Sequence, residues 1–265
     1  MSANFPLRVV TAASLFDGHD AAINVMRRLI QDRGCEVIHL GHNRSVDDIV
    51  QAALQEDVDS IALSSYQGGH NEFFRYLVDQ LKAARAEHIA IIGGGGGTIT
   101  LEEISQLEAY GVTRIYHPND GMSLGLTGMI DDAVELIKEH KANADQKLHD
   151  DAHPFLKYAR ALSRIEQSNG DTVTTEKGCL TVGLTGTGGA GKSSLTDELV
   201  LRFATEFPER KFAVLAIDPT RRRTGGALLG DRIRMNANNG GKIYVRSLAT
   251  RAGGQEVSDA VPDVL

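Results

Sequence analysis

The chain has 265 residues, 42% of them hydrophobic and 24% charged, with a formal net charge of −7. This length suits two domains of roughly 100 to 150 residues each, and the composition is that of globular protein rather than of a disordered or fibrous chain. The negative balance argues against a nucleic-acid partner, which needs a concentrated basic face. With no apolar window near the ~20 residues of a spanning helix and no signal-peptide pattern, a cytoplasmic chain without a membrane partner is expected.

In chain order, the first part alternates short apolar runs with amphipathic stretches, the signature of βαβ units and a parallel sheet. Strands are expected near residues 7–12, 36–40, 60–64, 88–92 and 114–116. Between them, residues 21–31, 45–56, 71–86, 101–109 and 122–141 carry apolar residues at helical spacing. These elements make a flavodoxin-like domain over residues 1–141, in which ligands bind outside the carboxyl ends of the strands. Residues 142–177 read as a linker with a short helix at 154–165 and a turn cluster at 168–171. An apolar strand at 179–184 then opens a second α/β unit over residues 178–265. Cys35 and Cys179 lack CxxC or metal-ligand spacing and read as reduced, structural thiols.

Residues 186–193, Gly-Thr-Gly-Gly-Ala-Gly-Lys-Ser, fit GxxxxGK[ST] in full, between that strand and a helical run over 194–203. The segment Gly188, Gly189, Ala190 and Gly191, continued into the helix by Ser194, is expected to turn backbone N–H groups and a positive helix end toward nucleotide phosphates. Lys192 is then the catalytic group, reaching the β- and γ-phosphates, and Ser193 a Mg²⁺ ligand. A second apolar run, 212–217, ends in Asp218, another Mg²⁺ candidate at a strand's carboxyl end. Residues 224–235 combine a glycine pair, an acid and two arginines, a composition suited to a switch loop, and a further helix is expected to begin near Gln255.

Asp17-Gly18-His19-Asp20 follows the first strand at the ligand-binding end of the sheet. Asp17 is close enough in sequence to accept a hydrogen bond from the His19 ring opposite a bound metal. One histidine cannot assemble a protein-only zinc or iron site, so a metal on His19 would need a macrocycle for the rest of its ligands. Small residues end both the third strand, around Ser64 and Tyr66, and the fourth, at Gly93-Gly94-Gly95. They are expected to leave a slot that a flat group enters.

On these residues the first unit resembles the cobalamin-binding domain of the adenosylcobalamin-dependent mutases, whose pattern is DxHxxG, SxL and GG. Asp17, Gly18 and His19 supply the first part, Ser64 the second, Gly93 and Gly94 the third; Ala22 and Tyr66 stand where the pattern has Gly and Leu. The resemblance implies that His19 replaces the cofactor's benzimidazole as lower cobalt ligand, with the displaced tail beside Ser64, Tyr66, Gly93 and Gly94. A cobalamin domain followed directly by a phosphate-loop domain resembles the fused isobutyryl-CoA mutases, in which a GTPase chaperone follows the cobalamin domain. That resemblance implies GTP as nucleotide, Asp231 as a further Mg²⁺ ligand and Arg234 at the phosphates. It also implies a CoA-ester-binding barrel as a partner domain missing from this chain, homodimerisation of the complete protein, and interconversion of isobutyryl-CoA and butyryl-CoA. The alternative is a cobalamin-binding sensor coupled to a phosphate-loop domain, without mutase chemistry.

Overall fold

A computed structural model of the chain describes residues 5–15, 17–18, 20–144, 149–168, 179–221, 223–230, 232, 243–251 and 260–264. Strands β1 (Arg8–Ser14), β2 (Glu36–Arg44), β3 (Ser60–Ser64), β4 (Ala90–Gly94) and β5 (Arg114–Tyr116) alternate with helices. These are α1 (Asp20–Asp32), α2 (Val46–Glu56), α3 (His70–Ala83), α4 (Leu101–Tyr110) and α5 (Pro118–Asn143), the last broken at Gly125. All five expected strands and all five expected helices are present. Side-chain caps fix three helix starts: Ser45 and Thr100 each accept from the backbone three residues on and His117 from Asn119, while Asp48, Glu103 and Asp120 reach back.

These five strands lie in one parallel sheet in the order β5-β4-β3-β1-β2. Because both faces are covered, successive residues of one strand enter different cores. Val9, Val37 and Ala62 pack with Ile130 and Val134 of α5, whereas Val10, Ile38 and Ile61 pack with Ile49 of α2 and Leu77 of α3. The order reverses between β1 and β3, which is the crevice where such sheets receive ligands.

Helix α6 (Pro154–Ser168) occupies the linker. The expected strand at 179–184 does not form: these residues have no ladder partner among the described residues, and Leu180 and Val182 stand 92% and 71% exposed. A strand survives only where its N–H and C=O groups are paired. Helix α7 (Lys192–Glu206) is followed by β6 (Phe212–Asp218), which pairs in parallel with β8 (Ile243–Ala249). Part of the expected switch loop is instead β7 (Ala227–Leu229), added to the edge of the first sheet beside β2. A short helix, α8 (Val261–Val264), comes later than the helix expected near Gln255, a position outside the described residues.

Candidate functional site

The loops that follow β1 and β3 flank the crevice, and two side-chain hydrogen bonds lace them together. Asp17 is fully buried and its Oδ2 accepts from the Tyr66 backbone N–H at 2.7 Å. The Asp17 N–H donates to the Ser14 carbonyl, and the Ser14 hydroxyl donates to Ser65 Oγ at 3.0 Å. Ser65 N–H in turn donates to Gly94 O, tying β3 to β4. Asp17, expected as an orienting partner for a histidine, fixes the backbone of a residue 49 positions away. His19 itself lies outside the described residues.

Register places Ala13, Ser64, Gly94 and Tyr116 in one row across the carboxyl edge. Ser64 is buried, and its Oγ has no hydrogen-bond partner among the described residues. Gly94 is open on its side-chain flank, where a Cβ would meet only Tyr116 O at 3.7 Å, and nothing lies near Gly18. Gly93 behaves differently: a Cβ there would come within 2.7 Å of the Phe74 ring, so that glycine serves helix–sheet packing and not an open slot. Gly95 would collide with the Ser65 carbonyl oxygen. Tyr66 is half-buried with its ring over Gly96. Tyr116, at the end of the row, donates its hydroxyl to Asp132 at 2.6 Å; burial and this carboxylate push its pKa up. Ser14, Ser65 and Tyr116 were not expected at the site, although a hydroxyl at the end of each strand flanking the crevice is a signal the sequence holds.

In the second unit, Gly186, Gly189 and Gly191 take positive φ, and Gly191 caps α7. Gly188, Ala190 and Ser194 lie on the same exposed loop and first turn. Lys192 folds back on the loop, its Nζ donating to Gly186 O at 2.8 Å and Thr187 O at 3.0 Å. Phe203, near the end of α7, stacks on Phe212 at the start of β6, so the helix runs against the strand. Its N-terminus, with Lys192 and Ser193, therefore lies toward the end of β6 that carries Asp218. Asp231 and Arg234 lie outside the described residues. Cys35 is buried, which raises its thiol to about 12, whereas Cys179, expected as structural, is exposed. No described side-chain cluster of three or more His, Cys, Asp or Glu could hold a metal by itself. No described helix is long and apolar enough to cross a membrane.

The family model "B12 binding domain" matches residues 7–121, and "Methylmalonyl Co-A mutase-associated GTPase MeaB" matches residues 159–265. Fused isobutyryl-CoA mutases of Cupriavidus metallidurans and Geobacillus kaustophilus are 52% and 51% identical over 98% of this chain. The chain spans a quarter of their length, 25% in each case. The pivalyl-CoA mutase small subunit of Xanthobacter autotrophicus is 33% identical over 43% of this chain and 74% of its own length. With cobalamin-domain and GTPase matches in this order, the chain carries a B12-binding domain, of the family that includes the mutase small subunits, followed by a MeaB-type GTPase segment, and it is similar over nearly its whole length to the fused isobutyryl-CoA mutases.

Proposed function

We propose that the chain binds adenosylcobalamin at the carboxyl edge of its first sheet and GTP with Mg²⁺ at its phosphate loop. It would thereby serve as the cofactor-binding and chaperone portion of a radical acyl-CoA mutase that interconverts isobutyryl-CoA and butyryl-CoA. The observation that carries this reading is the Ser64 hydroxyl, buried without a partner at the crevice and beside the open flank of Gly94. A buried hydroxyl left in this state costs free energy until another polar group reaches it. Ser64, Tyr66 and Gly94 would hold the cofactor's tail, and Asp17, Gly18 and His19 the cobalt side. Adenosylcobalamin, when bound, supplies the weak cobalt–carbon bond from which radical rearrangement starts. Asp17 contributes preorganisation: by holding Tyr66 N–H it fixes both walls of the crevice in advance, lowering the ordering cost of binding.

At the phosphate loop, Lys192 would exchange its two loop carbonyls for phosphate oxygens. Ser193 and Asp218, with Asp231, would hold Mg²⁺, and Arg234 would reach the phosphates. The GTPase match supports guanine as the base. The CoA ester itself would be held by a barrel domain outside this chain, in a homodimeric cytoplasmic protein.

A spectrophotometric titration with adenosylcobalamin tests the reading. We expect saturable binding with the spectrum of a cofactor whose benzimidazole has been replaced by histidine, and loss of that spectrum in His19→Ala. An unchanged cofactor spectrum at saturating protein, or a wild-type spectrum from His19→Ala, overturns it.

A further inference from the structure

At the opposite, amino-terminal edge of the first sheet lies a second cavity of about 300 Å³, at the small end of the range for small-molecule sites. Its walls come from the start of β1, the loop before β3, the end of α5, helix α6 and strand β8. Six of its lining side chains are arginine or lysine and three are carboxylates. Every one of those carboxylates is already engaged. Asp57 holds Arg160 at 2.8 Å, Asp59 holds Lys141 at 2.8 Å, and Glu166 is shared by Arg246 and Arg251 at 2.7 and 2.6 Å. Arg8, in the wall, pairs with Glu36 and Glu56 behind it, and Glu56 also takes Arg232. With those residues included, the cations still exceed the carboxylates by two.

Two lining side chains keep unused hydrogen-bonding capacity among the described residues. Arg164 stands exposed at the mouth without an acceptor, and His88, 9% exposed, has an Nε2 with no hydrogen-bond partner. Burial, aided by Arg160, lowers the His88 pKa to about 4, so its imidazole is neutral near pH 7 and adds no charge to the lining. Arg164 is exposed at the mouth and the other cations are half-buried or buried, so the net positive charge around the recess is stabilised by an incoming anion. A phosphate monoester carries about −1.5 to −2 at neutral pH and three acceptor oxygens, which matches the surplus and the forked guanidinium donors.

We propose that this cavity is a binding site for a phosphate group, independent of the phosphate loop and of the cobalamin crevice. The test titrates inorganic phosphate, against chloride at equal ionic strength, into the Lys192→Ala chain so that the phosphate loop is silent. We expect saturable binding there, weakened at least five-fold by Arg164→Gln and lost in Arg164→Glu, while both variants melt with the parent when phosphate is omitted. A parallel titration with a nucleoside 3′,5′-bisphosphate separates sources: tighter binding than phosphate assigns an esterified ligand, equal binding assigns the free ion. Absence of saturable binding, or binding indifferent to both Arg164 substitutions, overturns the proposal, as does binding seen only when Lys192 is intact.

Discussion

Neighbouring glycines on β4 and the loop after it have separate tasks, and the sequence did not distinguish them. At Gly95 a methyl group would meet the backbone carbonyl of Ser65, which cannot rotate away, so the loop after β3 must shift. We expect Gly95→Ala to lose about 1–3 kcal/mol of stability, as overpacking does, and cobalamin affinity with it. Gly94→Ala meets ordinary contacts and should leave the melting temperature within a degree or so while still weakening cobalamin, because the added methyl faces the crevice. Paired thermal melts and cofactor titrations of the two variants check this, and equal melting losses would show that the flank of Gly94 is not open. His88 gives a pH prediction. Its folded pKa of about 4 lies below the usual histidine value, so the unfolded chain binds more protons between these limits. Its contribution is therefore complete above pH 6.5 and is lost as pH falls toward 4; His153, also lowered by burial, acts in the same direction. Glu103, held down to about 2 chiefly by the Thr100 cap, adds its loss only below the ordinary carboxylate range. Urea midpoints in phosphate-free buffer should fall between pH 6.5 and 4.5, and less steeply in His88→Leu.

At the scale of elements, what the sequence disclosed followed from periodicity, and what it hid followed from long-range charge. The flavodoxin-like order was legible because each strand is an apolar run and each helix has a spaced apolar face. Strand β8 was not, since Arg246 and Ser247 interrupt its run, and both are fully buried. Their partners are distant: Arg246 bonds Glu166 and Ser163 on α6, and Ser247 N–H and Oγ donate to Glu56 on α2. Arg232 reaches Glu56 and Gln55 from the segment after β7. No local pattern announces pairings across 80 to 191 residues. Glu56 is the hub, accepting from Arg8, Arg232 and Ser247 with no exposure of its own. Glu56→Gln removes the charge and leaves two buried guanidinium groups short of it, a change expected to cost about 3–5 kcal/mol. The check is denaturant unfolding of the variant against Glu56→Met/Arg232→Met, in which the unpaired charge is partly relieved. A double variant as unstable as the sum of its single changes would show that the two residues do not act together.

For the whole molecule, the arrangement sets the two ends of the first sheet to different work. The carboxyl edge bears the crevice with Ser64, while the amino edge carries the charge network that joins α2 and β1 to α6 and β8. The phosphate-loop motif was fully legible, and so was its helix; the strand expected before it was not realised, because pairing depends on neighbours that a local pattern does not reveal. The same dependence would govern the proposed activity. Radical rearrangement of an acyl-CoA needs substrate held against the cofactor in a cavity closed to water. Among the described residues there are one six-stranded and one two-stranded sheet, and neither closes into a barrel. We therefore expect the 265-residue chain, saturated with adenosylcobalamin and GTP, to form no butyryl-CoA from isobutyryl-CoA, and to gain activity when a barrel domain from a relative of this family is supplied in trans. Gas-chromatographic assay of the hydrolysed acyl products decides between outcomes. Turnover by the chain alone would mean that residues 1–265 contain the substrate site, and failure with a barrel that is active with its own cobalamin domain would mean that this crevice does not present the cofactor for catalysis.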